Sequence, residues 1–210
     1  WSPVAESAHV KIYDNPFPEV GELEERYELT RDPQDQGVLR VTVPGDHKDR
    51  YYVYEMTVYG ETYDTPDLYS IALSSNSQRT QIIDLAETDP SGWAEDSWPA
   101  FPETDSIIYE LHVRDLTTSE HWNGDADKKH KFLGVTQAGT SYQGKPTGFD
   151  HIVDLGVNTV QILPMYDFSS VDENNPNSRN WGYDPYSYNT PEGSYSTDPD
   201  DGKIRILQMA

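Results

Sequence analysis

Residues Thr147–Pro164 read TGFDHIVDLGVNTVQILP, and their hydrophobic period changes halfway. Phe149, Ile152 and Val153 recur at i, i+3 and i+4, the spacing of one helical face, and Gly156 is the residue type that often closes a helix. Thr147 with Asp150 resembles a capping box in which Asp replaces the usual Glu or Gln. From Val157 to Pro164 the chain becomes a mostly apolar strand, and Ile107–Val113, IIYELHV, carries a second strand signal upstream. Strand, helix and strand form a βαβ unit, which sets the two strands parallel with the helix on their outer side. Lys203–Ala210, KIRILQMA, reads as the first turns of another helix, with Ile204, Leu207 and Gln208 at helical spacing. Two parallel strands under one helix leave an unpaired edge and a bare face. The expectation is that this half pairs with more protein or is one piece of something larger.

Working back from that unit, Asp89–Thr104 (DPSGWAEDSWPAFPET) combines three Pro, one Gly and several acids with Trp93, Trp98 and Phe101. This predicts a linker packed against both neighbours and a boundary near residue 102, with one unit over residues 1–102 and another over 103–210. Before it, Ala8–Asp14 alternates, with Ala8, Val10 and Ile12 on one side and His9, Lys11 and Tyr13 on the other. Beyond the turn-rich NPFPEVG come strand signals at Arg26–Thr30, Val38–Val43, Arg50–Tyr59 and Gln81–Leu85. Short strands at this spacing, separated by turns, predict an antiparallel, immunoglobulin-like β-sandwich. Tyr52 and Tyr54 are expected to pack in its core with their hydroxyls at an edge, while Tyr51 and Tyr59 fall on the opposite face.

Composition narrows the partners. Fifteen Lys and Arg against 37 Asp and Glu give a net charge of −22, which opposes binding to a phosphate backbone and argues against nucleic acid. With no Cys there is no disulfide, thiolate zinc site or cysteine nucleophile. No run approaches the ~18 apolar residues of a membrane span, and WSPVAESAHV lacks the basic start and apolar stretch of a signal peptide. The expectation is a soluble chain with no membrane partner, whose start at Trp1 has the look of a processed or cut end.

Downstream of the βαβ unit, Asn180–Asp198 (NWGYDPYSYNTPEGSYSTD) sets acids among one Trp and four Tyr, broken by Gly and Pro. This predicts a loop, too turn-rich for a central strand. Aromatic planes beside carboxylates suit a polar ligand with flat apolar faces, such as a sugar. A surface loop pinned by its own Tyr residues is the alternative.

The blocks IIYELHVRDL (Ile107–Leu116), KFLGVTQAGT (Lys131–Thr140), TGFDHIVDLGVNTVQILPMYDFSSVDE (Thr147–Glu173) and NWGYDPYSYNTPEGSYSTDPDDGKIR (Asn180–Arg205) together resemble type I pullulanases, debranching members of the α-amylase family of glycoside hydrolases. The NWGYDP run is the most specific of these motifs. The first half is similar to the carbohydrate-binding sandwich that precedes the barrel in such enzymes, through VPGDHKDRYYVYEMTV and TPDLYSIA. The resemblance implies an N-terminal portion only: a carbohydrate-binding β-sandwich followed by the start of a (β/α)8 barrel, with the loop after the second barrel strand on the catalytic face. It assigns Tyr183 to stacking beneath a glucose ring and Asp184 to its hydroxyls, with Asn180 and Trp181 as supports of the loop.

The same resemblance implies retaining hydrolysis of α-1,6-glucosidic linkages in pullulan, starch or glycogen, by an Asp nucleophile and a Glu acid/base roughly 5 Å apart. These and a second Asp come from the fourth, fifth and seventh barrel strands, so no catalytic residue is expected within residues 1–210. Glu110 and Asp115 match structural positions of the first barrel strand, and Asp167, Asp172 and Glu173 match no catalytic motif. His112 is expected to be a hydrogen-bonded barrel residue and not a metal ligand. No cofactor or metal site is expected, although calcium is possible by family. The implied partners are an α-glucan (pullulan, amylopectin or glycogen) and the remainder of the barrel. A stand-alone α-glucan-binding module is the rival reading. The compartment stays open between extracellular and cytoplasmic, leaning to extracellular.

Overall fold

A computed structural model describes residues 1–19, 23–97 and 99–210. The end of the turn-rich NPFPEVG stretch and Trp98 of the expected linker lie outside the described residues. In the first half, β1 (Ala5–Tyr13), β2 (Glu25–Glu28), β3 (Thr30–Arg31), β4 (Leu39–Arg40), β5 (Tyr51–Val58), β6 (Glu61–Thr65) and β7 (Thr80–Gln81) follow one another, with no α-helix among the described residues. β2, β1, β5 and β6 form one antiparallel sheet in that order, and β7 adds to β5. The ladder between β3 and β4 is separate and two pairs long.

The alternation in β1 is reproduced. Ala8, Val10 and Ile12 are buried and stand opposite Met56, Tyr54 and Tyr52 of β5. Tyr52 and Tyr54 meet edge to face at 5.6 Å, and the Tyr52 hydroxyl donates to Asp67 Oδ2 at 2.7 Å. The two rings pack on each other and the Tyr52 hydroxyl is held at an edge, but both are only half-buried and so stand at the margin of the core, not within it. On the other face Tyr51 and Val53 are buried, and the Tyr51 hydroxyl donates to the Asp200 carbonyl of the second half. Tyr59 is no strand residue. It takes φ 52 and Gly60 φ 78 in a two-residue turn to β6, where left-handed backbone matches the twist of a hairpin and leaves the ring in solvent.

The second half contains β8 (Ile108–Leu111), α1 (Val113–Leu116), α2 (Phe132–Val135), β9 (Ser141–Tyr142), β10 (Lys145–Pro146), α3 (Gly148–Leu155), β11 (Thr159–Ile162), β12 (Tyr166–Phe168), β13 (Pro185–Pro191) and α4 (Gly202–Met209). β8 and β11 pair in parallel, from Ile108 opposite Thr159 to Leu111 opposite Ile162, with α3 on the crossover. The βαβ unit is present. Its details differ from expectation in three respects. First, the upstream strand stops at Leu111, because His112 caps a helical turn by accepting the Asp115 N–H. Second, the expected capping box does not form: Thr147 caps α3 without a side-chain bond, and Asp150 Oδ2 instead accepts the Gly139 N–H at 2.6 Å. Third, only Ile152 of the apolar stripe is buried, while Phe149 and Val153 are exposed.

A core of Val113, Phe132, Phe168, Val171 and Tyr195, flanked by Val135 and Met165, joins α1 and α2 to the β12–β13 hairpin. Residues 70–77 of the first half insert into the second. The Asn76 N–H donates to Glu173 Oε2 at 2.9 Å, Ser77 donates to Asp167, and the Ser70 carbonyl accepts from Thr190. Gly202 lies so close to Ala72 that an added Cβ would sit 2.7 Å from the Ala72 Cβ. No helix among the described residues is long and apolar enough to cross a membrane.

Candidate substrate-binding site

Within the expected Asn180–Asp198 loop, only Asn180–Asp184, Glu192 and Ser196–Asp198 are irregular. Pro185–Pro191 is strand β13, antiparallel to β12, and Gly193–Tyr195 is a 3-10 turn. The prolines that argued against a strand sit at its two ends, where a missing N–H costs the ladder least. Along it Ser187 and Thr190 are buried while Tyr186 and Tyr188 are exposed.

The β12–β13 pairing brings Asn180–Asp184 beside Ser169 and Ser170. Asp184 Oδ2 accepts from Ser170 Oγ and, at 3.3 Å, from Ser169 Oγ, and Asn180 Nδ2 donates to Oδ1 at 2.8 Å. The Ser170 hydroxyl, followed by that of Ser169, holds the Asp184 carboxyl below the usual carboxylate range despite some desolvation. An ionised carboxylate has about four acceptor positions, so these three donors orient it and leave capacity for a ligand hydroxyl. Asn180 also fixes the turn, its Oδ1 accepting the Gly182 N–H at 3.0 Å. Gly182 itself has φ 87 and lies against Pro164 and Phe168, where an added Cβ would approach within 2.8 Å. The next side chain, Tyr183, is then turned out to 70% exposure. Trp181 packs edge-on to His112 with ring centroids 5.6 Å apart, and the Arg179 guanidinium lies 5.4 Å from its ring.

Beneath this loop His112 is buried, and burial pulls its pKa below the ordinary value, so the ring is neutral. Its Nδ1 accepts from the Asp115 N–H, which places the proton on Nε2, facing the Asn180 carbonyl at 3.2 Å and the Tyr195 hydroxyl at 2.9 Å. His112 thereby ties the end of the first parallel strand to the loop. Sequence reasoning reached Asn180, Trp181, Tyr183 and Asp184 together but missed Ser169 and Ser170; the DFSS run beside a strand signal was their only trace.

One further cluster is buried below the site. Carboxylate oxygens of Asp167, Glu173 and Glu192 lie within 4.8 Å of one another, a spacing compatible with a cation. The residues do not fit calcium, because Arg205, itself fully buried, already contacts Asp167 at 3.3 Å and Glu173 at 2.6 Å and fills the cluster with a positive charge that cannot ligate a metal. Burial raises Glu173 to about 8 and Glu192 to about 7, so the pair retains a proton near neutrality.

Comparison with known proteins relates the whole chain to one group of enzymes. No family model matches the chain. A Bacillus subtilis pullulanase is 33% identical over the whole chain, which covers 28% of that protein, and a Klebsiella pneumoniae pullulanase is 28% identical, with 25% of it covered. A Paenibacillus barengoltzii pullulanase, crystallised with maltohexaose and α-cyclodextrin, superposes with a TM-score of 0.91 at 43% identity, over 99% of this chain and 32% of that one. A Bacillus acidopullulyticus pullulanase gives 0.88 at 38% identity, over 100% of this chain and 25% of that one. The chain is thus similar along its whole length to the N-terminal portion of pullulanases, and it spans about a quarter to a third of the length of these relatives.

Proposed function

We propose that this chain is the glucan-holding N-terminal portion of a pullulanase-type enzyme that hydrolyses α-1,6-glucosidic linkages in pullulan, starch or glycogen. Residues 1–102 act as a carbohydrate-binding β-sandwich module, and residues 103–210 begin a (β/α)8 barrel in which β8, α3 and β11 are the first strand, helix and second strand. Exposed Ile108, Val160 and Ile162 on the parallel pair support this reading, since the remaining strands of a barrel would cover them. The nucleophile, the acid/base and the third carboxylate belong to later barrel strands, so residues 1–210 bind and orient without cutting.

The single observation that carries the proposal is the Asn180–Asp184 turn, with Tyr183 turned out beside a carboxylate fixed by three donors. A Tyr face covers the C–H side of a glucose ring while an oriented carboxylate accepts its O–H groups. Maltohexaose binding, followed by calorimetry, is the test. Tyr183→Ala and Asp184→Ala should each weaken binding at the loop at least tenfold without changing the folded spectrum. Undiminished binding in both variants would remove the loop from the function. Pullulan hydrolysis by residues 1–210 alone would contradict the division of labour.

A second reading, a glucan-binding module without catalytic activity of its own, is favoured by the exposed Tyr59, Tyr63 and Tyr69 of the first half. Loss of maltohexaose binding on replacing Tyr63 and Tyr69, but not Tyr183, would select it.

A further inference from the structure

We propose a second sugar-contacting site, in the cleft between α1, the β9–β10 hairpin and the start of α3, that takes a neutral hydroxylated ring such as a glucosyl unit. This rests on the α-glucan reading of the Asn180–Asp184 turn but uses none of its residues. The cleft has a volume of about 450 Å³, within the range of small-ligand pockets.

Buried polar atoms in folded proteins nearly always have partners. Among the described residues four buried side-chain atoms have none, and three of them belong to residues lining this one cleft: Trp122 Nε1, Asp115 Oδ1 and Thr147 Oγ1. Trp122 is only 7% exposed, so its indole N–H is a donor withdrawn from bulk water. Its ring is held in a slot made by two glycines. A Cβ on Gly124 would fall 2.2 Å from the ring, and one on Gly148 would come within 3.2 Å of Nε1 itself. Thr147 is free because it makes no side-chain cap to α3. The three atoms supply a donor, an acceptor and a hydroxyl that can be either.

Ordered water could meet those needs, but water has no use for a flat apolar wall, and the cleft has one. His121 and Tyr142 stack with centroids 4.0 Å apart at 12°. Electrostatics select a neutral ligand. The Asp115 charge is met by Arg179 at 2.7 Å, and no Lys or Arg lines the cleft to attract an anion. A planar aromatic wall in one cleft with separate donors and acceptors is the recognition chemistry of a pyranose ring. Arg179 also precedes Asn180, so the Asp115–Arg179 pair connects this cleft to the Tyr183 turn, and one extended glucan could touch both.

The test follows the five indole N–H resonances of the 15N-labelled chain, assigned by single Trp→Phe variants, during titration with maltohexaose. Tyr183→Ala removes the contribution of the loop. In that background the Trp122 resonance should still shift on titration, and adding Tyr142→Ala, an exposed substitution that leaves the other indole signals in place, should weaken the response at least tenfold. A Trp122 resonance that stays fixed while wild-type binding depends wholly on Tyr183 would overturn the second site and leave the proposed function standing. A Trp122 shift unaffected by Tyr142→Ala would also overturn it, since the aromatic wall would then make no contact. Absence of maltohexaose binding to the wild-type chain would defeat both readings.

Discussion

Asp184 shows how much of what orients a carboxylate lies outside its own segment of sequence. Its carboxylate is oriented by Asn180, four residues before it, and by Ser169 and Ser170, which reach it across a hairpin. Ser170 is the largest cause of its lowered pKa, so the ionised form persists into mildly acid solution. Removing that hydroxyl with Ser170→Ala should move the carboxyl back toward its ordinary value. A ligand that needs the anion would then be lost at higher pH than in the wild type. Maltohexaose affinity measured between about pH 3 and 6, which brackets ordinary carboxyl titration, should show the acid limb displaced upward; coincident limbs would mean that Ser170 does not govern Asp184. Asn180, Trp181, Tyr183 and Asp184 were singled out through the resemblance carried by the NWGYDP run. Ser169 and Ser170 were not, because a serine acquires this role only when strand pairing sets it opposite the acid.

Elements were legible where period and punctuation agreed. The βαβ unit followed from a 3.6-residue stripe closed by Gly156, which indeed takes φ 71 at the end of α3. β13 was hidden by two prolines and a run of Tyr, and its strand character depends on pairing with β12, which no local pattern records. The stripe on α3 also overstated its own burial, since spacing gives a face and not the extent of what covers it. Ile152 is 7% exposed and Val153 is 62% exposed. Truncating a buried Ile to Ala costs about 2–5 kcal/mol, whereas surface changes stay within about 0.5 kcal/mol. Ile152→Ala should therefore lower the urea midpoint markedly and Val153→Ala should barely move it. Equal losses would show that Val153 packs against something in solution that these 210 residues do not include.

At the scale of the whole molecule, the two halves are held by a buried charge cluster whose meaning was invisible in sequence. Asp167, Glu173, Glu192 and Arg205 lie in separate segments, and the Asn76–Ser77 turn that meets them comes from the first half. Three carboxylates facing one guanidinium carry excess negative charge, and burial answers by raising Glu173 to about 8 and Glu192 to about 7. An unfolded Glu titrates near pH 4.3, so between about pH 4 and 8 the folded chain binds protons that the unfolded chain has released. Stability must then fall as pH rises through that window and level off once the cluster is fully ionised. The carboxylates outside the cluster that are held below their usual range act in the opposite sense at lower pH, so the descent should be clearest from about pH 6 to 9, after those groups have ionised. Glu192 is the informative position, because backbone N–H groups of Phe168 and Ser194 are its donors and, among the described residues, no cation forms an ion pair with it. Glu192→Gln fixes a neutral side chain of the same shape. The thermal midpoint of the wild type should decline over that range and that of Glu192→Gln should decline less; parallel curves would place the retained proton elsewhere and sever pH from the joint between the halves.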